Sequence, residues 1–148
     1  MPPDSMLPAG PPPPVSFPQR KRPLILLADD EADISIVART RLEVSGFEVE
    51  SAEDGEEALV RFGARRPDLV LLDLRMPKMD GYQVCRVLKS DPGTSSVPVI
   101  IFSASSSQSR ETERKCMELG ADDYIRKPYS AEELVAKVRL HLTRRNPS

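Results

Sequence analysis

From Leu24 onward, short apolar runs alternate with stretches whose apolar residues recur at helical spacing. The run Leu24 to Ala28 is wholly apolar, as a parallel strand covered on both faces would be. Glu31 to Ser45 then carries Ile34, Val37, Ala38 and Leu42 at helical intervals, and Gly46 ends it. Phe47 to Ala52 is a second predicted strand. Asp54 and Glu57 have capping-box spacing and open a helix through Ala58, Leu59 and Phe62. Leu69 to Leu72 reads as a third strand, after which Asp80 and Gln83 cap a helix through Val84, Val87 and Leu88. Val97 to Phe102 makes a fourth strand, and a helix over Gln108 to Leu119 is stopped by Gly120. Asp123 to Lys127 is a short fifth strand. Ser130 and Glu133 cap a last helix, with Leu134, Val135, Val138 and Leu142 on one face. The pattern predicts an α/β fold of (βα)5 type. Its five-stranded parallel sheet carries helices on both faces, wound by right-handed crossovers into a doubly wound sandwich.

Composition adds a boundary and several exclusions. Nine of the 15 prolines lie in the first 23 of 148 residues, including the run Pro11 to Pro14. Residues 1–23 therefore read as a Pro-rich disordered leader, with no central apolar stretch of the signal-peptide kind. The trio Arg20, Lys21 and Arg22 reads as its solvated edge. Residues 24–145 form the domain and 146–148 a tail. The formal net charge is −2. Removing the leader, with one Asp against three basic residues, takes it to about −4, which argues against a broad basic face for nucleic acid. No apolar run reaches the ~18–20 residues of a bilayer span. Two cysteines and one histidine exclude a disulfide framework and a His/Cys metal cluster. Cys85 and Cys116 read as small core or boundary residues within helices. His141, the sole candidate base for a serine hydrolase, reads as a surface or dipole-complementing residue near the end of the last helix. What remains is carboxylate, lysine and hydroxyl chemistry in a cytoplasmic protein.

In an open parallel sheet the ligand lies beyond the carboxyl ends of the strands. There the first strand ends in Asp29, Asp30 and Glu31, the third in Asp73, the fourth in Ser103 to Ser105, and the fifth in Lys127 and Pro128. Taken singly, Asp30 or Glu31 reads as an acid placed for a helix N-terminus. Together the acids need neutralising, because carboxylates about 4 Å apart repel by roughly 4 kcal/mol at an effective dielectric near 20. Oxygen ligands without His or Cys suit a hard divalent ion that keeps several waters, which points to Mg²⁺.

These residues resemble a known family. The Asp29-Asp30 pair, Leu71 to Pro77 followed by Asp80-Gly81, Ser103-Ala104, and Gly120 to Pro128 look like a response-regulator receiver domain of two-component signalling. The resemblance spans Leu24 to Arg145 and implies a CheY-like, flavodoxin-like sandwich. It implies Asp73 as the phosphoacceptor, a carboxylate nucleophile that forms an acyl phosphate. It implies Mg²⁺ held by Asp30 directly, by Asp29 mainly through a water, by Asp73, and by the backbone carbonyl of Arg75. Lys127 would pair with the phosphoryl oxygens and Ser103 would hydrogen-bond one of them. Pro128 would follow a cis peptide, and Tyr124 would be an aromatic switch turning inward with Ser103. The positions of Arg75 and Ser105 would tune how fast the phosphoryl group is lost.

The partners so implied are a sensor histidine kinase or histidine phosphotransfer protein and a downstream protein. A phosphorylation-dependent homodimer is a further option, and no direct nucleic-acid or membrane contact is expected. With no output domain after the last helix, the expected protein is a single-domain regulator rather than an enzyme. Two alternatives differ in class. One is an interaction module with an idle acidic pocket. The other is an aspartyl-nucleophile phosphohydrolase, whose usual acid two residues after the nucleophile is here Arg75, which donates no proton at neutral pH.

Overall fold

The structure, a computed structural model, describes residues 22–104 and 109–145. The Pro-rich leader up to Lys21, Ser105 and the tail 146–148 lie outside the described residues. The elements run β1 (Leu24–Ala28), α1 (Ala32–Val44), β2 (Glu48–Ala52), α2 (Gly55–Ala64), β3 (Leu69–Asp73), α3 (Gly81–Ser90), β4 (Val99–Ala104), α4 (Ser109–Glu118), β5 (Asp123–Lys127) and α5 (Ala131–Arg145).

All strand pairs are parallel, in the order β2-β1-β3-β4-β5. β1 and β3 are buried at every residue, which is what their unbroken apolar runs require. β2 and β5 form the sheet edges and are only partly covered, so their sequences mix charged and apolar residues. Alternation along the strands divides the core in two. One layer, with Leu26, Val70, Leu72, Val99 and Ile101, packs with Phe62, Val84, Cys85, Leu88 and Cys116. The other, with Ile25, Leu27, Leu69, Leu71 and Ile100, packs with Ala38, Leu42, Leu134 and Val138. Cys85 and Cys116 are fully buried core residues, and burial pushes their thiols up to about 11 and about 12.

Several expectations need correction. Val37 and Val87 point outward, 70% and 45% exposed, so the buried stripes of α1 and α3 are narrower than their apolar residues suggested. Ile34 lies outside the described side chains. β4 starts two residues late, because Val97 closes a turn with its N–H on the Thr94 carbonyl and Pro98 has no N–H to give a ladder. The caps vary in completeness. Asp80 and Gln83 make the full reciprocal box. Asp54 accepts from the Glu57 N–H, but Glu57 returns to the N–H of Glu53 rather than Asp54. Ser130 accepts from the Glu133 N–H. His141 is not on the surface. It is buried, with Nε2 2.8 Å from Asp123 Oδ2, and Lys137 donates to the same carboxylate. That pairing ties α5 to the start of β5, one strand length from Lys127, so His141 serves no hydrolase base at the carboxyl rim.

Candidate phosphoacceptor and metal site

Three strands, β1, β3 and β5, deliver functional residues by ending at the same rim. β1 runs straight into Asp29, whose N–H bonds the Ala52 carbonyl at the end of β2. Asp73 is the last residue of β3 and Lys127 the last of β5. Asp29 and Asp73 are nearly inaccessible and Asp30 is exposed, so the group is open on one side. Carboxylate oxygens of Asp29, Asp30 and Asp73 all lie within 4.8 Å of one another.

The hydrogen bonds fix which oxygens remain available. Asp29 Oδ1 accepts from the Glu31 N–H at 2.9 Å, and Asp73 Oδ1 from the Arg75 N–H at 3.1 Å. Lys127 Nζ donates to Asp73 Oδ2 at 3.2 Å and lies 3.7 Å from both Asp29 Oδ2 and Glu31 Oε1. Among the described residues, the buried Asp29 Oδ2 has no well-formed hydrogen bond. Burial pushes the Asp29 carboxyl up to about 6; the neighbouring Asp73 charge adds to this, against the pull of the Glu31 N–H and Lys127. Lys127 is held above the ordinary lysine value, because the carboxylates of Asp73 and Asp29 outweigh the burial that opposes its charge. An orphaned oxygen beside two more carboxylates, with no His or Cys, is a donor set that fits a hard divalent cation such as Mg²⁺.

The loop after β3 is seated by close backbone contact. A Cβ at Gly81 would stand 2.5 Å from the Asp73 carbonyl oxygen, so the start of α3 presses directly on the acidic residue's own backbone. A Cβ at Gly55 would collide with the backbone of Met79 at the far end of that loop. Lys78 adopts the left-handed conformation between these two contacts, with φ of 68°. Arg75 is exposed, and its N–H is the part that meets Asp73.

The remaining predicted residues sit next to this centre rather than in it. Ser103 is half-buried in β4, opposite Arg126 in the register. Tyr124 lies inward in the layer that holds Cys116. Its hydroxyl is buried with no well-formed hydrogen bond among the described residues. Burial pushes that phenol up, and the nearby Ser103 hydroxyl pulls it partly back. The Lys127–Pro128 peptide is cis. Two contributors escaped the sequence reading. Phe102 places its ring 4.9 Å beneath Lys127 Nζ and is met edge-on by Tyr129. Its signal was only that it ends the apolar run of the expected fourth strand, one residue before Ser103. Glu31 read as a helix-start acid, yet at the start of α1 its side chain makes no capping bond and faces Lys127.

Known proteins resemble the chain in sequence and in fold. The sequence pattern of the response regulator receiver domain matches residues 25–139. A probable transcriptional regulator ycf27 from Porphyridium aerugineum is 50% identical over 120 residues, covering 81% of this chain and 48% of its own length. The phosphate regulon transcriptional regulatory protein PhoB of Rhizobium meliloti is 40% identical over 126 residues, covering 84% and 54%. This chain thus spans about half the length of such curated relatives. Among solved structures, the signal receiver domain of a signal transduction histidine kinase from Syntrophus aciditrophicus superposes with a TM-score of 0.78 at 32% identity, covering 85% of this chain and 94% of that one. Among the described residues, no helix is long and apolar enough to cross a membrane. With its five parallel strands, its acidic rim and a matched pattern over most of its length, the chain belongs to the response regulator receiver domains of two-component signalling.

Proposed function

We propose that this chain is a phosphoacceptor switch, modified on Asp73 by a phosphohistidine donor and read out through protein contacts. The observation that carries it is Lys127 Nζ 3.2 Å from Asp73 Oδ2, in a rim that also holds Asp29 and Asp30. An oxygen of Asp73 attacks phosphorus, the bond from phosphorus to the donor nitrogen breaks, and the imidazole leaves with that electron pair. Asp29, Asp30, Asp73 and the Arg75 carbonyl would hold Mg²⁺, which when bound neutralises charge developing on the phosphoryl oxygens. Lys127 supplies a second cation, with its position fixed by Asp73 and the Phe102 ring.

The new group brings about two negative charges and three acceptor oxygens to the rim. Ser103 and Lys127 lie on adjacent strands and both can answer it. Tyr124, beside Ser103, connects that answer to the face built from α4, β5 and α5. The chain's part in chemistry is to accept and slowly lose the group, not to turn over a substrate. The kinase or phosphotransfer donor, the cytoplasmic setting and the identity of the output belong to this same reading. Names of the curated relatives point to transcriptional control as one output of such a unit.

Incubation with acetyl phosphate and Mg²⁺ tests the proposal by intact mass. One labile adduct of about 80 Da is expected, absent in Asp73→Asn and without Mg²⁺, and formed at least tenfold more slowly in Lys127→Ala. An adduct that persists in Asp73→Asn would overturn it. So would a folded protein that takes no phosphoryl group from either acetyl phosphate or a phosphohistidine protein.

A further inference from the structure

Lys127 faces three carboxylates, and two of them already have other work. Asp73 is the acceptor and Asp29 is a buried member of the acidic trio, whereas Glu31 lies outside that trio. Three aspartates are balanced by one divalent ion and one ammonium. Glu31 is then the anion in surplus. Its carboxylate is 58% exposed at the mouth of the site and 3.7 Å from Lys127 Nζ. It is not spent on the helix, because the start of α1 has no side-chain capping bond. Any phosphoryl group reaching Asp73 meets this charge and competes with it for the lysine.

We propose that Glu31 is a positioning residue that shares Lys127 with Asp73, so weakening the site's hold on anionic phosphoryl groups and selecting against anionic phosphodonors. The inference rests on Asp73 being the phosphoacceptor. In forward transfer from acetyl phosphate, an Asp73 oxygen bonds phosphorus and acetate leaves with the electrons of the broken P–O bond. In loss, water oxygen bonds phosphorus, the bond to Asp73 breaks, and its carboxylate returns while the water proton passes to solvent. Lys127 steadies the phosphoryl oxygens in both the loaded state and the encounter, and Glu31 draws it outward in both. A dianionic donor suffers more than a donor of lower charge whose leaving group is an amine.

The test compares wild type, Glu31→Gln and Glu31→Asp with acetyl phosphate and with phosphoramidate, at low and high salt. Glu31→Gln keeps size and removes charge at an exposed position, so a native fold is expected. Its rate with acetyl phosphate should rise roughly two- to fivefold, the range an exposed ion pair carries, and less with phosphoramidate. The lifetime of the adduct should lengthen by a similar factor, in Mg²⁺ and after chelation alike. The difference should shrink at high salt, where exposed charges are screened. Glu31→Asp should lie nearer wild type. Equal rates, donor preference and lifetimes in wild type and Glu31→Gln would overturn the inference while leaving Asp73 as acceptor. An adduct that survives Asp73→Asn would instead remove the reading beneath it.

Discussion

At Asp29 a buried carboxylate has one oxygen with no well-formed hydrogen bond among the described residues and stands against the charge of Asp73. Its folded value, raised from 3.8 to about 6, fixes the sign of its effect on stability. The protonated form contributes stability that is fully present below pH 3.8 and lost as the pH rises through about 6. Asp29→Asn should therefore make the metal-free protein more stable at pH 7, by roughly 1–3 kcal/mol, with little effect at pH 4. Urea melts at the two pH values check this, and Mg²⁺ should stabilise wild type more than the variant. The same residues show how far a sequence speaks at this scale. Asp29, Asp30, Asp73 and Lys127 were legible because strand ends in a parallel sheet share one rim. Glu31 and His141 were not, since nothing local distinguishes an acid that caps a helix from one that turns to a lysine on another strand. A histidine in a polar last turn likewise gives no sign of Asp123 waiting beneath it.

Among the elements, α3 is tied to the turn that follows it and to two strands by the ammonium of Lys89. Lys89 Nζ donates to the carbonyls of Ser95 and Val97 at 2.9 Å each and pairs with Asp122 at 2.7 Å. Asp122 in turn accepts from the Val99 N–H, where β4 begins. The ammonium thus joins the end of α3, the start of β4 and the approach to β5. Lys89→Ala takes the donor from the Ser95 and Val97 carbonyls and the cation from Asp122, and should cost about 1–3 kcal/mol, read as a lower urea midpoint. Far from the acidic rim, it should leave the Mg²⁺ affinity unchanged. All ten elements were legible, because each buried strand has a wholly apolar run and most helices carry an acid or hydroxyl at the start or Gly at the end. Their boundaries moved where backbone donors decided the matter, as at Pro98. The outward valines were missed for a related reason: helical spacing records which residues are apolar, not which side another element covers.

Across the whole molecule, protection is greatest at the centre of the sheet and falls toward both margins. β1 and β3 are buried at every residue and flanked by strands on both sides, whereas β2 and β5 each have one neighbour. Hydrogen exchange should therefore be slowest in β1 and β3 and measurably faster in the two outer strands. Those outer strands are short, and their exposed or half-covered positions are mostly charged. Glu48 and Glu50 of β2 lie beside Arg65, at 2.7 and 3.5 Å, and Arg126 of β5 lies 3.4 Å from Glu113. A strand of another molecule laid along either margin would have to strip water from these groups and break their pairs. Replacing Glu50 and Arg126 together by Val would remove that obstacle with little change to the core, and light scattering during storage should then rise well before any loss of fold. The ionic margins of the sheet thus set how concentrated the protein can become while its molecules stay apart.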